Sequence, residues 1–269
     1  LEAGAFVVLF DQKVDTDLDK VRSQFESLDG LSFILGELKE SLLNDVEVMV
    51  LSPGISAKAP FVDLFRSKNI PVWSEVELAF RVSKGSLCAI TGTNGKTTTT
   101  ALTGEIMKAW NEDSFTVGNI GTPYTTTALQ TTSNSITVAE ISSFQLETIV
   151  DFKPKVSAIL NVTPDHLDRH GTFEEYGNAK LSITKNQTEQ EVCVLNFDDK
   201  ITRKFAKRMQ ARTVFFSRLA DLEEGVCLKD DSIVLREEGK EETICDLKEL
   251  KLLGGHNIEN VMAAIAVSY

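Results

Sequence analysis

The stretch Ala89-Ile90-Thr91-Gly92-Thr93-Asn94-Gly95-Lys96-Thr97-Thr98 carries the plainest chemistry in the sequence. An apolar run enters a glycine-rich turn and is followed by a lysine and hydroxyls, and that order makes a phosphate cradle. Glycines let successive backbone N–H groups converge on an anion, the following helix offers its positive end, Lys96 reaches the outer phosphates and Thr97 can ligate magnesium. The expected ligand is a nucleoside triphosphate, held by Gly92, Thr93, Asn94, Gly95, Lys96, Thr97 and Thr98. The spelling is shorter than the common form, which has a glycine where Ile90 stands, five residues before Gly95. An ordinary strand-to-helix turn is the competing reading.

Three further groups lie downstream. Glu140 closes the apolar run from Ile136 and sits where ligands of open α/β sheets collect, a place that suits a magnesium-binding carboxylate. It also suits an acid at a helix start, with Ser142 and Ser143 as caps. The segment Asn161-Val162-Thr163-Pro164-Asp165-His166-Leu167-Asp168-Arg169-His170 is a second polar strand exit, where His166 reads as a ligand and His170 stays open between ligand and structural histidine. Lys180, fourteen residues after His166, shares a helix face with Tyr176 and Ile183, and composition alone puts it on the surface. In Gly254-Gly255-His256-Asn257-Ile258-Glu259-Asn260 the two asparagines share a helix face and can present amides to a base, although Asn257 also fits an N-cap.

These groups need a scaffold that brings strand ends together. Strands are expected at 6–10, 33–35, 48–52, 86–91, 136–140, 156–161, 192–196 and 214–217, with helical patterns in most intervals, including 74–80, 173–184 and the segment carrying Leu102, Ile106, Ala109 and Trp110. That alternation means parallel α/β sheets. After Gly225 a hairpin (226–228 and 233–236), a solvated turn at 237–242 and a strand near 243–246 form a small antiparallel insert. The boundary is expected near residues 81–85, giving a partial Rossmann-like domain at 1–82 and a phosphate-loop mononucleotide-binding α/β domain at 83–269. In the first, Asp11 ends a strand where an acid can bind a ribose or a base, or simply be solvated, and Ser52-Pro53-Gly54-Ile55 follows another strand, with Gly54 allowing close backbone approach.

The 269 residues carry a formal charge of -12, which argues against nucleic acid or an anionic membrane as a partner. The four cysteines lack metal or disulfide spacing, so buried free thiols and a reducing cytoplasm are expected; no apolar run approaches the length of a membrane span, and no signal peptide is expected. Both ends read as cut. Residues 1–5 resemble the last turn of a helix stopped by Gly4, and the final helix reaches Tyr269 with no stop signal.

Ser-Pro-Gly-Ile, Gly-Thr-Asn-Gly-Lys-Thr, Gly118-Asn119-Ile120-Gly121, Glu-Ile-Ser-Ser-Phe-Gln-Leu-Glu, Asn-Val-Thr-Pro-Asp-His-Leu-Asp-Arg-His and Gly-His-Asn-Ile-Glu-Asn occur here in the order found in the Mur ligases, and the chain resembles that family over nearly its whole length. Ser-Ser-Phe-Gln-Leu-Glu resembles the branch that adds D-glutamate to UDP-N-acetylmuramoyl-L-alanine. The resemblance implies an ATP-dependent ligase of cell-wall precursor synthesis, monomeric, using two magnesium ions. It implies that Lys96 and Thr97 bind phosphate and metal, that Glu140 and His166 are metal ligands, and that Lys180 carries a carbamate that helps hold the second magnesium. It further implies that Asn119 and Gln145 face the muramoyl substrate together with Ser52 and Gly54, that Asn257 and Asn260 flank adenine, and that Asp11 contacts uridine. Gln12 and Lys13 depart there from the Thr-Arg of some members. The amino-acid-binding domain of such ligases would follow Tyr269, so this stretch alone is expected to form no D-glutamyl product.

Overall fold

The computed structural model describes residues 4–25, 27, 29–251 and 254–269. The expected helical turn at residues 1–5 falls largely outside them, although Gly4 does take the positive φ of a helix stop.

The chain divides into two compact units, one of residues 1–49 and 58–72, the other of residues 50–57 and 73–269. The division at 72/73 falls before the 81–85 segment because the helix at 75–82 packs its Val76 and Ala79 into the core of the larger unit. In the smaller unit, β1 (Val7–Asp11) and β2 (Leu31–Leu35) pair in parallel, accompanied by α1 (Leu18–Arg22) and α2 (Pro60–Ser67). Its core is Leu43, Phe65 and Ile70. A separate ladder joins β3 (Met49–Leu51) to β4 (Val72–Ser74), a strand too short to show periodicity.

The larger unit holds α3 (Glu75–Val82), β5 (Ser86–Thr91), α4 (Lys96–Trp110), β6 (Ser114–Gly118), α5 (Tyr124–Ala128), β7 (Ile136–Glu140) and β8 (Val156–Ile159). It continues through α6 (Leu167–His170), α7 (Phe173–Leu181), β9 (Val192–Asn196), α8 (Lys200–Phe205), β10 (Arg212–Ser217), β11 (Gly225–Lys229), β12 (Ser232–Glu237), β13 (Lys240–Asp246) and α9 (Gly255–Ser268). Among the described residues the strands form one sheet in the order β13-β12-β11-β10-β9-β8-β5-β7-β6. All pairs from β6 to β11 are parallel.

The strands of this sheet explain their own burial. β5, β7, β8 and β9 are mostly apolar and buried beyond their first residues, as strands covered on both faces must be, with Thr137 and Ser157 as polar residues inside them, and their alternate residues feed two cores. After β5 the chain crosses to β6 and β7 on one side and then to β8 on the other, so β5 is the switch point where a crevice opens at the carboxyl ends of the strands. The expected antiparallel insert is present as β11, β12 and β13, and because β11 also pairs in parallel with β10 it extends the same sheet. The stretch read as a solvated turn at 237–242 is mostly strand, with only Glu238 and Gly239, both at positive φ, making the tight turn between β12 and β13.

α3 is tied down by a buried carboxylate. Glu77, 0% exposed, accepts from the backbone N–H groups of Val150, Asp151 and Phe152, each at 2.9 Å, and from Arg81 Nε at 2.7 Å. Glu77→Ala would remove the shared acceptor of three backbone N–H groups, the buried one of Phe152 among them, and leave Arg81 with Asp151 alone, so a loss of about 2 kcal/mol or more is expected in urea unfolding of the chain. A loss below about 1 kcal/mol would contradict this accounting.

Candidate functional site

β5 delivers the glycine-rich loop to the switch point. Gly95, at φ +83, is the N-cap of α4, and a Cβ there would come within 2.2 Å of Asn260 Oδ1, so only glycine lets α9 close over the loop. α4 opens with four threonines of low helix propensity. Thr99, Thr100 and Thr103 are buried, so packing rather than propensity holds this helix.

Lys96 folds back into the loop, its Nζ donating to Gly92 O at 3.0 Å and Thr93 O at 2.9 Å. Lys180 arrives at the same carbonyl from α7, donating to Gly92 O at 2.7 Å. It is 1% exposed, which corrects the surface placement read from composition: Tyr176, one turn earlier, roofs it with its ring centre 4.6 Å from Nζ. Burial, with Lys96 as a second cause, pushes its ammonium down to about 7, while burial also lowers Lys96 against the opposing pull of Glu140 and Asp165. Two lysine nitrogens therefore converge on one peptide carbonyl, with Lys96 the one placed to meet an anion in the loop.

Glu140 ends β7 beside Ile90 of β5 and Gly118 of β6. It is 2% exposed, and Asn119 Nδ2 donates to its Oε1 at 3.2 Å. Gly118 is obligatory there, since at φ +125 an added Cβ would meet the Glu140 carbonyl at 2.1 Å. His166 stands at φ +51 with its half-exposed ring 4.9 Å from that of Phe144. Thr97 is exposed on the first turn of α4. Among the described residues no three His, Cys, Asp or Glu side chains are close enough to hold a metal by themselves. Glu140, His166 and the Thr97 hydroxyl nevertheless suit magnesium, which commonly takes one or two protein carboxylates and completes its shell with phosphate oxygens and water.

Other expected residues are placed with different partners. Gln145 is buried, its Oε1 accepting from Ser142 N at 2.7 Å and its Nε2 donating to Glu75. Ser142 accepts from Gln145 N at 3.3 Å but caps a run of turns, since no helix follows, and Ser143 instead meets His170 Nε2 at 3.0 Å. His170 is thereby structural, and burial holds it below the usual imidazole range. Asn257 is not the N-cap, which is Gly254. Its Oδ1 accepts from Asn260 Nδ2 at 3.4 Å, so the asparagine pair stands beside the phosphate loop on α9. Ser52 and Gly54 lie in an exposed turn closed by Ile55 N donating to Ser52 O. Asp11, in the smaller unit, accepts from Lys13 N at 3.0 Å and Thr16 Oγ1 at 2.9 Å, and those bonds hold its carboxyl below the usual range.

Sequence reasoning passed over Asn161, Tyr176 and Asp165. Asn161 Oδ1 accepts from Thr93 N at 3.1 Å and Asn94 N at 2.8 Å, and its Nδ2 donates to Asn94 O at 3.0 Å. The amide copies a strand edge and holds the loop open; its only sequence signal is its place at the exit of β8. Tyr176 meets Thr93 Oγ1 at 3.1 Å. Asn161→Ala in the full-length protein is expected to raise the KM for ATP by about tenfold, since the loop loses three hydrogen bonds worth about 1 kcal/mol each, partly regained from water. Steady-state phosphate release at varied ATP checks it, and an unchanged KM would contradict it.

A buried parallel sheet, a glycine-rich loop at its switch point, a lysine heading the next helix and a strand-end carboxylate define an α/β mononucleotide-binding domain. The chain belongs to the Mur ligase family, matching the Mur ligase middle domain over residues 90–268. It is 46% identical over 267 residues to the UDP-N-acetylmuramoylalanine–D-glutamate ligase of Lachnoclostridium phytofermentans, a match that covers 99% of this chain and 59% of that protein. The chain thus spans little more than half the length of this relative. Its fold is similar to that of the UDP-N-acetylmuramate:L-alanyl-gamma-D-glutamyl-meso-diaminopimelate ligase of Neisseria meningitides, with a TM-score of 0.62 at 16% identity, covering 99% of this chain and 86% of the other. It is also similar to the MurF ligase of Thermotoga maritima in complex with ADP, with a TM-score of 0.50 at 20% identity, covering 84% and 61%. Among the described residues no helix is long and apolar enough to cross a membrane, and the four cysteines are free, three of them buried.

Proposed function

We propose that this chain is the ATP-binding and UDP-substrate-binding part of a ligase that joins D-glutamate to UDP-N-acetylmuramoyl-L-alanine at the expense of ATP. The observation that carries the reading is the convergence of Lys96 and Lys180 on Gly92 O beside the buried Glu140. The relative's name supplies the substrates.

A carboxylate does not react with an amine while its leaving group is oxide. An oxygen of the L-alanine carboxylate therefore attacks the γ-phosphorus of ATP, ADP departs, and the resulting acyl phosphate carries a usable leaving group. The amine of D-glutamate then attacks the carbonyl carbon, inorganic phosphate leaves and the nitrogen loses its proton. Bringing two anions in line requires charge neutralisation and positioning above all. Lys96 and the loop N–H groups oppose the growing charge on the β- and γ-phosphates, Asn161 and Tyr176 keep the loop in shape, and Asn257 and Asn260 flank the adenine. Glu140, His166, Thr97 and a carbamate on Lys180 would hold two magnesium ions, which supply further charge neutralisation when bound. A lysine near its pKa at neutral pH has the free amine that carbon dioxide requires, and once carbamylated it supplies negative rather than positive charge.

In the smaller unit a cavity of about 510 Å³, lined by Phe10, Gln12, Gly36, Glu37, Pro60 and Phe61, opens directly beyond β1 and suits the uracil ring, with Asp11 beside it in sequence. Asn119, Gln145, Ser52 and Gly54 serve the muramoyl and diphosphate side. The protein works as a cytoplasmic monomer on small molecules alone. Phosphate release by the full-length protein with UDP-N-acetylmuramoyl-L-alanine, scanned across amino acids, tests the reading. D-Glutamate is expected to be the preferred acceptor, and preference for a diamino acid or a dipeptide would overturn it.

A further inference from the structure

Arg169 has no part in the phosphate chemistry, yet nearly all of its guanidinium is engaged. Nη1 donates to Pro53 O at 2.8 Å and Nη2 to Ile55 O at 2.9 Å. Nε and Nη2 donate to the two oxygens of Glu147 at 3.3 and 3.1 Å. The group lies 4.2 Å over the Phe144 ring, which is itself 4.9 Å from the ring of His166. With its side chain only 16% exposed, Arg169 connects the turn at 52–55 to the two segments that carry Glu140 and His166.

Holding a peptide by its carbonyl fixes its N–H as well, because the two point in opposite directions across a trans peptide. The Pro53 carbonyl turned to Arg169 therefore sends the Gly54 N–H the other way. There is open space at Gly54, where an added Cβ would meet nothing within 4 Å. An N–H turned away from Arg169 on an unobstructed turn, held there by the Arg169–Glu147 pair, suits an anionic group such as a diphosphate. Lysine could supply the charge but not a fork that spans two carbonyls and a carboxylate.

We propose that Arg169, braced by Glu147, is a positioning residue for the UDP-linked substrate, acting through the backbone of the 53–55 turn. The proposal rests on the ligase reading above, and the two fail differently. In the full-length protein, Arg169→Lys, Arg169→Met and Glu147→Gln are compared by steady-state phosphate release at varied UDP-N-acetylmuramoyl-L-alanine and at varied ATP, with melting temperature as a fold control. Both Arg169 variants are expected to raise the KM for the UDP substrate by about tenfold or more while the KM for ATP and kcat stay within about threefold, and Glu147→Gln is expected to give the same split to a smaller extent. A purely structural role would move both KM values together. If Arg169→Met does not fold, Arg169→Lys, which keeps the charge and loses the fork, and Glu147→Gln carry the test. Wild-type behaviour in Arg169→Lys, or equal changes in both KM values, would overturn the proposal alone. A wild-type protein that releases no phosphate in response to the UDP substrate would overturn the parent reading and this one with it.

Discussion

Lys96→Ala in the full-length protein is expected to lower ATP turnover by about a hundredfold or more, since removing one preorganised charge contact from a phosphoryl-transfer site costs about 3 kcal/mol. The fold should survive, because Lys96 is the first residue of α4 and belongs to neither core cluster of the larger unit. The side chain also holds the Gly92 and Thr93 carbonyls, so part of the loss reflects loop shape. Lys96→Met, which keeps the aliphatic stem, separates the two, and it is expected to stay close to the alanine variant because the missing charge is the larger effect. Circular dichroism and phosphate release together check this, and wild-type turnover in either variant would remove the phosphate-loop assignment.

The second large effect concerns Lys180. Lys180→Ala is expected to be inactive and to regain part of its activity with a short-chain carboxylic acid, which can place an anion where the carbamate would lie. Carbamylation needs the free amine, and an ammonium held at about 7 gives that form as the pH rises through neutrality. Activity after removal of bicarbonate should therefore return on its readdition, and faster at pH 8 than at pH 6. The same depressed value has a consequence for stability. Between about pH 7 and 10.5 the unfolded chain keeps a proton that the folded chain has released, so the buried ammonium is a cost below pH 7 that is relieved as the pH rises through that window. In bicarbonate-free buffer Lys180→Met should then raise the melting temperature more at pH 6 than at pH 9. Loss of activity without chemical rescue, together with a pH-independent melting shift, would contradict both points.

How much of this was legible in the residues varied with the physical signal. β5, β7 and β9 match the expected strands because a strand buried on both faces is mostly apolar along its length. β6 is absent from the expected strands because Ser114-Phe115-Thr116-Val117-Gly118 is a five-residue edge strand with only two large apolar side chains, Phe115 and Val117, too few to stand out after the turn at 111–113. The phosphate loop could be read because its chemistry is local, resting on glycines, a lysine and a hydroxyl at fixed spacing. The parts of the site that depend on distance along the chain could not be read from spacing, and Lys180 entered only through the resemblance to the Mur ligases. Lys180 lies 88 residues from the carbonyl it bonds and Asn161 lies 67 from the loop it props, and periodicity carries no information about which strand exits become neighbours. His170 was undecided because a histidine beside a site looks the same in sequence whether it faces a ligand or, as here, a buried serine.

If this loop activates a substrate carboxylate through ATP, an oxygen atom of that carboxylate must end in the phosphate released. UDP-N-acetylmuramoyl-L-alanine labelled with oxygen-18 in the alanine carboxylate is turned over by the full-length protein with ATP and D-glutamate, and the phosphate formed is weighed by mass spectrometry. One label should appear in inorganic phosphate for each D-glutamyl product made, because an acyl phosphate leaves with the oxygen that attacked phosphorus. Unlabelled phosphate, or label found in AMP, would contradict it.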